Sequence, residues 1–318
     1  MVKEYKLFAG NSNPELAKKI AAYVKVPLGK IDVGPYPNKE TRVEILESVR
    51  KKDVFIIQST CPPVNDNLME LLIMIDAFKR ASCGFVTAVI PYFGYSKQDK
   101  KKTGREPITA KLVANLLVKA GVDRVVTLEL HSDPIQGFFD IPVDDLKSVN
   151  LMGSYFEKKK IPNLVVVSPD VGGTKRARNV ANRLNAGLAI IDKNRPSYRK
   201  AVAMNVIGDV KNKTALIVDD FIDTGGSMVE AVHGLEKNGA KKIYIYCTHS
   251  LLTPPAVDRL KKLNIEEFVT TDTIPIPPEK MFSKIKILST GNLFGETIKR
   301  ILKGESVIEL FKNNRREK

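Results

Sequence analysis

No stretch of this 318-residue sequence approaches the roughly 18 consecutive apolar residues of a membrane-spanning helix. The opening MVKEYKLF has none of the zones of a secretory signal peptide, and a cytoplasmic location is expected. Cysteine is scarce. Cys61, Cys83 and Cys247 lie far apart among apolar neighbours, without metal-ligand spacing, and read as buried free thiols. Zinc-finger, RNP and helix-turn-helix patterns are also lacking, so the basic balance has no nucleic-acid module to serve.

That balance is large: 51 Lys and Arg against 36 Asp and Glu, a net charge of +15. Much of the excess falls in three clusters, residues 97–105, 158–160 and 312–318. A solvated surface accounts for most of it, and phosphate-rich nucleotides are the expected partners, rather than nucleic acid or a membrane. At 43% hydrophobic and 27% charged, the chain has a globular composition and length enough for two domains, each with its own core.

Along the chain, short apolar runs alternate with helical patterns. Residues 5–8, 53–57, 85–90 and 124–128 read as strands; residues 14–24, 65–80 and 107–120 read as helices, the first capped by Ser12 or Asn13. The second half repeats this grammar, with strand-like runs at 164–167, 215–218, 243–246, 268–270 and 285–288. Alternation of this kind predicts α/β architecture, with a mainly parallel sheet flanked by helices in each half. The boundary is expected near residues 142–150, which carry little helical period.

The most informative stretch is TALIVDDFIDTGGSMVEAVHGL, residues 214–235. An apolar strand runs into Asp219 and Asp220, and Asp223, Thr224, Gly225, Gly226 and Ser227 then open a helix. Glycines let the backbone approach a ligand, and amides and hydroxyls at a helix start cradle a phosphate. The two carboxylates repel phosphate but accept sugar hydroxyls or hold a metal. Together these features point to a phosphorylated sugar.

In the first half, IPYFGYSKQDK (residues 90–100) places aromatics and the cations Lys97 and Lys100 just beyond a strand, where ligands bind in such sheets. It suits a nucleotide, with rings stacking on the base and ammonium groups meeting phosphates, or else a lysine loop with its aromatics turned into the core. After the next strand come Glu129 and His131, two residues apart. On an extended chain both face one side, where they could hold Mg²⁺-nucleotide directly or through water, or serve the structure alone. In the second half, Asp170, Gly172 and Gly173 precede Lys175 and Arg176 at a helix start, which reads either as a second anion nest, with pyrophosphate as the anion, or as a structural loop. Lys193 and Arg195 lie in a charged, aperiodic stretch that by itself reads as an ordinary surface loop, or else as one able to close over a transferring phosphoryl group.

Taken in order, AVIPYFGYSKQDK, REPITAKLVANLL, ELHSDPIQGFFDIPVDDL, VVVSPDVGGTKRA, VDDFIDTGGS and GESVIELF resemble the ribose-phosphate pyrophosphokinase (phosphoribosyl pyrophosphate synthase) family nearly end to end. The resemblance implies two phosphoribosyltransferase-like domains: residues 1–147 with the ATP loop, residues 148–304 with the ribose-5-phosphate loop, and a tail of residues 305–318. It implies Mg-ATP and ribose 5-phosphate as substrates, with pyrophosphate passing to the sugar's 1-hydroxyl and AMP released. By motif, Tyr36, Asn38, Glu40, Lys97, Gln98, Asp99 and His131 serve ATP, the first three from a neighbouring subunit. Asp219, Asp220, Asp223, Thr224, Gly225, Gly226 and Ser227 serve ribose 5-phosphate. Asp170, Gly172 and Gly173 form the pyrophosphate loop, His131 and Asp170 meet Mg²⁺, and Lys193, Arg195 and His131 are catalytic. A homo-oligomer, commonly a hexamer, is implied. The sequence departs from the family pattern at Lys97 and Lys100, where arginine is usual, at Lys39 and at Glu129. Rival readings are a simple phosphoribosyltransferase, a non-catalytic associated subunit of the synthase and a phosphoribosyl-pyrophosphate-sensing regulator.

Overall fold

Asn13 opens the first helix: its side-chain oxygen accepts the Leu16 amide at 3.3 Å, and Pro14 follows where a missing N–H costs nothing. The resulting helix α1 (Pro14–Val24) turns Leu16, Ala17, Ile20, Ala21 and Val24 inward, next to the strand before it, β1 (Tyr5–Ala9). The computed structural model describes residues 4–194 and 203–311. The chain divides into two compact units between Lys147 and Ser148.

In the first unit the strand, loop, helix pattern continues beyond a hairpin, β2 (Ile31–Pro35) and β3 (Thr41–Ile45), which pair antiparallel. Then come β4 (Asp53–Ile57), α2 (Val64–Arg80), β5 (Val86–Ile90), α3 (Thr109–Ala120), β6 (Arg124–Leu128) and β7 (Val143–Leu146). The five-stranded sheet has the order β1-β4-β5-β6-β7, all parallel. Phe8 and Phe78, both fully buried, meet at 4.6 Å between ring centroids in its core. Burying each such ring contributes about 1.5–3 kcal/mol. Residues 143–146, within the segment near which the boundary is expected, form the edge strand β7. Its alternation is too short to stand out from a loop.

The second unit contains α4 (Val149–Lys159), β8 (Leu164–Ser168), α5 (Thr174–Leu184), β9 (Gly187–Asn194), β10 (Ala203–Ile207), β11 (Thr214–Ile222), α6 (Gly226–Lys237), β12 (Lys242–Ser250), α7 (Ala256–Lys262), β13 (Glu267–Thr271) and β14 (Ile285–Leu288). Its sheet runs β10-β9-β8-β11-β12-β13-β14, parallel except for the β9–β10 pair. Thus each unit is a mainly parallel sheet flanked by helices. The central strand β11 is fully buried from Thr214 to Val218, as its unbroken apolar run requires.

One segment departs from chain order. Helix α8 (Gly291–Lys303), expected with residues 148–304, clusters with the first unit, as do residues up to Leu310. Its small and apolar face packs on α1: a Cβ on Gly295 would come within 2.6 Å of Tyr23, and Tyr23 Oη donates to Glu296 at 3.0 Å. Close helix contact at glycine decides the partner, and chain order carries no trace of it.

Candidate active site

Beyond β5, the loop predicted to meet a nucleotide divides into a buried half and an exposed half. Tyr92 and Phe93 are buried, and Phe93 packs edge-on against Phe139 at 5.9 Å, so these two rings belong to the core and not to a stacking surface. Gly94 donates its amide to Thr60 Oγ1 at 2.7 Å, and a Cβ there would lie 2.5 Å from the Thr60 carbonyl, so only glycine fits. Lys97, Gln98 and Lys100 are exposed. Gln98 accepts the Ala110 amide at 3.1 Å and the Thr109 hydroxyl at 2.5 Å, which ties the loop to the start of α3.

Asp99 links this loop to the second predicted element, since Ser132 Oγ donates to Asp99 Oδ2 at 2.6 Å. His131 is exposed beside it. The same-face argument for Glu129 and His131 fails. Strand β6 ends at Leu128, and Glu129 takes a left-handed φ of 51°, so the chain is not extended there; Glu129 turns inward and is buried. The segment is fixed from the adjoining strand: Asp145 Oδ1 accepts the Leu130 amide at 3.0 Å, and Lys147 Nζ reaches Asp145 at 2.6 Å and Asp133 at 3.2 Å. Burial pushes the Asp145 carboxyl up, with Lys147 opposing the shift.

Tyr36, Asn38 and Glu40 lie on the β2–β3 turn. Tyr36 is 48% exposed, its amide donates to Glu40 O at 2.7 Å, and Asn38 Oδ1 accepts the Glu40 amide at 3.1 Å. Lys39 between them has φ 72°, a conformation that favours glycine. A hydrogen-bond network that the sequence did not reveal, centred on buried Glu70, anchors this hairpin. Glu70 accepts the Asn11 amide at 2.7 Å and its side-chain amide at 2.8 Å, and Asn11 Nδ2 also donates to Val33 O at 3.1 Å. An acid on the inner face of α2 was the available signal.

In the second unit, Asp219 and Asp220 do not end their strand; β11 continues to Ile222. Asp220 is buried and the Asp219 side chain is 21% exposed. Burial, and the like charge of Asp220, push the Asp219 carboxyl well up from its ordinary value. The segment expected to cradle a phosphate follows. Gly225 has φ 73° and caps α6, which begins at Gly226, while Thr224 and Ser227 are exposed and Asp223 is half-buried. Arg259 of α7, another residue the sequence reading missed, donates from Nη1 to Thr224 O at 2.9 Å and fixes the loop from behind.

Asp170 is exposed at the start of the other loop, and its Oδ1 accepts the Gly173 amide at 2.9 Å. That amide, expected to meet an anion, is therefore engaged within the loop. Arg176, expected to follow the same anion, stands between the acids: Nη1 is 3.4 Å from both Asp219 Oδ1 and Asp220 Oδ1. Lys193 pairs with Met204 through the β9–β10 backbone. Its side chain and all of Arg195 lie outside the described residues. Among those described, no three His, Cys, Asp or Glu side chains gather into a metal cage. The exposed carboxylate of Asp170 supplies the oxygen donor that Mg²⁺ takes, and a Mg²⁺ arriving on substrate phosphates needs only one or two such protein ligands. No helix among the described residues is long and apolar enough to cross a membrane.

A family model described as the N-terminal domain of ribose phosphate pyrophosphokinase matches residues 5–121, and one described as the phosphoribosyl synthetase-associated domain matches residues 194–312. The chain is 54% identical over 307 residues to a ribose-phosphate pyrophosphokinase of Caldanaerobacter subterraneus, covering 96% of this chain and 97% of that one. It is 51% identical over 309 residues to that of Bacillus subtilis, covering 97% and 98%. Among solved structures, the phosphoribosylpyrophosphate synthetase of Mycobacterium smegmatis matches with a TM-score of 0.90 at 42% identity, over 95% of this chain and 100% of that one. With this identity across nearly the whole of both sequences, the chain belongs to the ribose-phosphate pyrophosphokinase family.

Proposed function

We propose that this chain is an active ribose-phosphate pyrophosphokinase, which joins Mg-ATP and ribose 5-phosphate to give phosphoribosyl pyrophosphate and AMP. The observation that carries the reading is the acid pair Asp219 and Asp220 on β11 leading directly into the Thr224–Ser227 helix start, a diol acceptor beside a phosphate cradle. A non-catalytic associated subunit is expected to have lost that cradle, and here it is whole.

Asp219 and Asp220 accept the sugar hydroxyls, while Asp223, Thr224, Gly225, Gly226 and Ser227 hold the 5-phosphate on the amides and hydroxyls of the loop and the α6 start. Lys97, Gln98, Asp99 and His131 take ATP in the first unit, and Tyr36, Asn38 and Glu40 reach the adenine of a neighbouring copy; the exposure of Tyr36 supports this. The working form is then a homo-oligomer, and the location cytoplasmic. Asp170, Gly172 and Gly173 receive the pyrophosphoryl group. His131 and Asp170 hold Mg²⁺, which neutralises charge on the phosphate oxygens when bound.

The sugar's 1-hydroxyl attacks the β-phosphorus, and the bond from that phosphorus to the oxygen bridging the α-phosphate breaks. Reactions of this kind are accelerated by positioning and by neutralising charge, so no covalent intermediate is required. Lys193 and Arg195 stabilise the charge that develops during transfer. The test is AMP release from ATP with and without ribose 5-phosphate and Mg²⁺. Ribose-dependent AMP is expected, and its absence in every divalent metal would return the chain to the associated-subunit reading.

A further inference from the structure

Arg176 follows the Gly172–Gly173 loop directly in sequence, and that order alone offers its guanidinium to a pyrophosphate. The structure sends it elsewhere. Arg176 lies in the first turn of α5, and its side chain, 19% exposed, crosses to β11, where one nitrogen stands 3.4 Å from Asp219 Oδ1 and 3.4 Å from Asp220 Oδ1. Asp219 Oδ1 also accepts the Asp220 amide at 2.9 Å, so one oxygen of Asp219 is held by two donors. Gly173 permits this approach. A Cβ there would lie 2.8 Å from Ser168 Oγ and 3.6 Å from the same Arg176 nitrogen, so a side chain would push the start of α5 away from the end of β8.

Two adjacent carboxylates with little solvent repel each other, and a single cation between them offsets much of that cost. Were Arg176 to leave for a phosphate, both acids would lose the cation that stands between them. Removing one partner from a partly buried ion group is costly. Keeping Arg176 on the acids offsets part of their repulsion and leaves carboxyl oxygens suited to hydroxyl donors.

We infer that Arg176 is a positioning residue for the sugar end of the site: it holds Asp219 and Asp220 together as one diol acceptor and does not bind the pyrophosphate. The inference rests on the reading of Asp219 and Asp220 as the ribose acceptors. On this inference Arg176 acts through the orientation and charge of the two acids and not by its own contact with a substrate.

The test uses the full-length protein and initial rates of AMP formation, with KM determined separately for ribose 5-phosphate and ATP. Arg176→Met is expected to raise the ribose 5-phosphate KM by about tenfold, the loss of one charge-assisted bond, with the ATP KM changed less than about twofold. Arg176→Lys keeps the charge but not the planar fork, and is expected to fall between wild type and Arg176→Met. In an Asp219→Asn background, where Arg176 still meets Asp220, Arg176→Met should add a smaller loss than it causes in the wild-type protein, because one of the two acids it acts through is already altered. If Arg176→Met does not fold, Arg176→Gln carries the same expectation. An equal rise in both KM values, or a fall in kcat alone, would place Arg176 at the transferring phosphates and overturn the inference. An unchanged ribose 5-phosphate KM would also overturn it. A wild-type protein without ribose-dependent AMP formation would instead overturn the functional reading beneath it.

Discussion

Ser132 Oγ donates to the carboxylate of Asp99 at 2.6 Å, and this bond joins the lysine-bearing loop after β5 to the His131 segment after β6. Ser132→Ala should loosen both at once. A hydrogen bond to a charged acceptor is worth about 1.5–3 kcal/mol, so the ATP KM is expected to rise about tenfold, with the ribose 5-phosphate KM unaltered. Initial-rate kinetics with each substrate varied would check it. Parallel changes in both constants would mean that the bond is not specific to the nucleotide end.

Lys97 and Lys100 are exposed and stand where arginine is usual in the family. A compact ammonium cannot hold two phosphate oxygens in a plane, so ATP affinity here should be sensitive to salt. Lys97→Arg is expected to tighten ATP about two- to fivefold, a small gain because an exposed pair is screened. Lys97→Ala should weaken it by a similar factor. Calorimetric titration with Mg-ATP at two ionic strengths measures both effects.

Asp219 illustrates a conflict between binding and stability. Its carboxyl is pushed well up by burial and by Asp220, so its contribution to stability is complete below the ordinary carboxylate range and is lost as pH rises through the folded value. The ionised form is the one that burdens the fold. Asp219→Asn leaves Arg176 paired with Asp220, and should stabilise the protein by about 1 kcal/mol, or roughly 2–4 °C in Tm, while weakening ribose 5-phosphate. A melting scan shows the sign directly, and a lower Tm would contradict the argument.

Burial also pushes the Cys247 thiol up to about 12 and that of Cys61 to about 11, from an ordinary value of 9.0. Each group therefore favours folding below the ordinary value, and that contribution disappears as pH rises through the shifted one. Melting temperature is expected to fall above about pH 9, and less steeply in Cys247→Ala. At about pH 8 a thiol reagent should label the native protein slowly, with half-buried Cys83 first, and all three cysteines rapidly in guanidinium. Rapid native labelling of Cys247 would refute its burial as a neutral thiol.

Local patterns carried much of the fold. Pro14–Val24, Asp53–Ile57 and Arg124–Leu128 have the bounds expected from their periodicity, since caps, prolines and unbroken apolar runs act over a few residues. The hairpin β2–β3 was not foreseen; its residues are only partly buried, and half-buried polar strands give little period. Glu129 went wrong for a different reason. A spacing of two implies a shared face only while the chain stays extended, and it leaves that state at Glu129 itself.

The composition and residue order of this protein were enough to determine alternating strand and helix units, an acid pair followed by a glycine-rich helix start, and family membership. These are properties of short segments, in which chemistry and backbone preference act between near neighbours. Tertiary structure alone decided that α8 packs on α1, that Glu70 anchors the β2–β3 hairpin through Asn11, and that Arg176 turns from the loop it follows toward Asp219 and Asp220. Those outcomes depend on which distant groups burial forces together, and on the cost of leaving a charge or polar atom there without a partner.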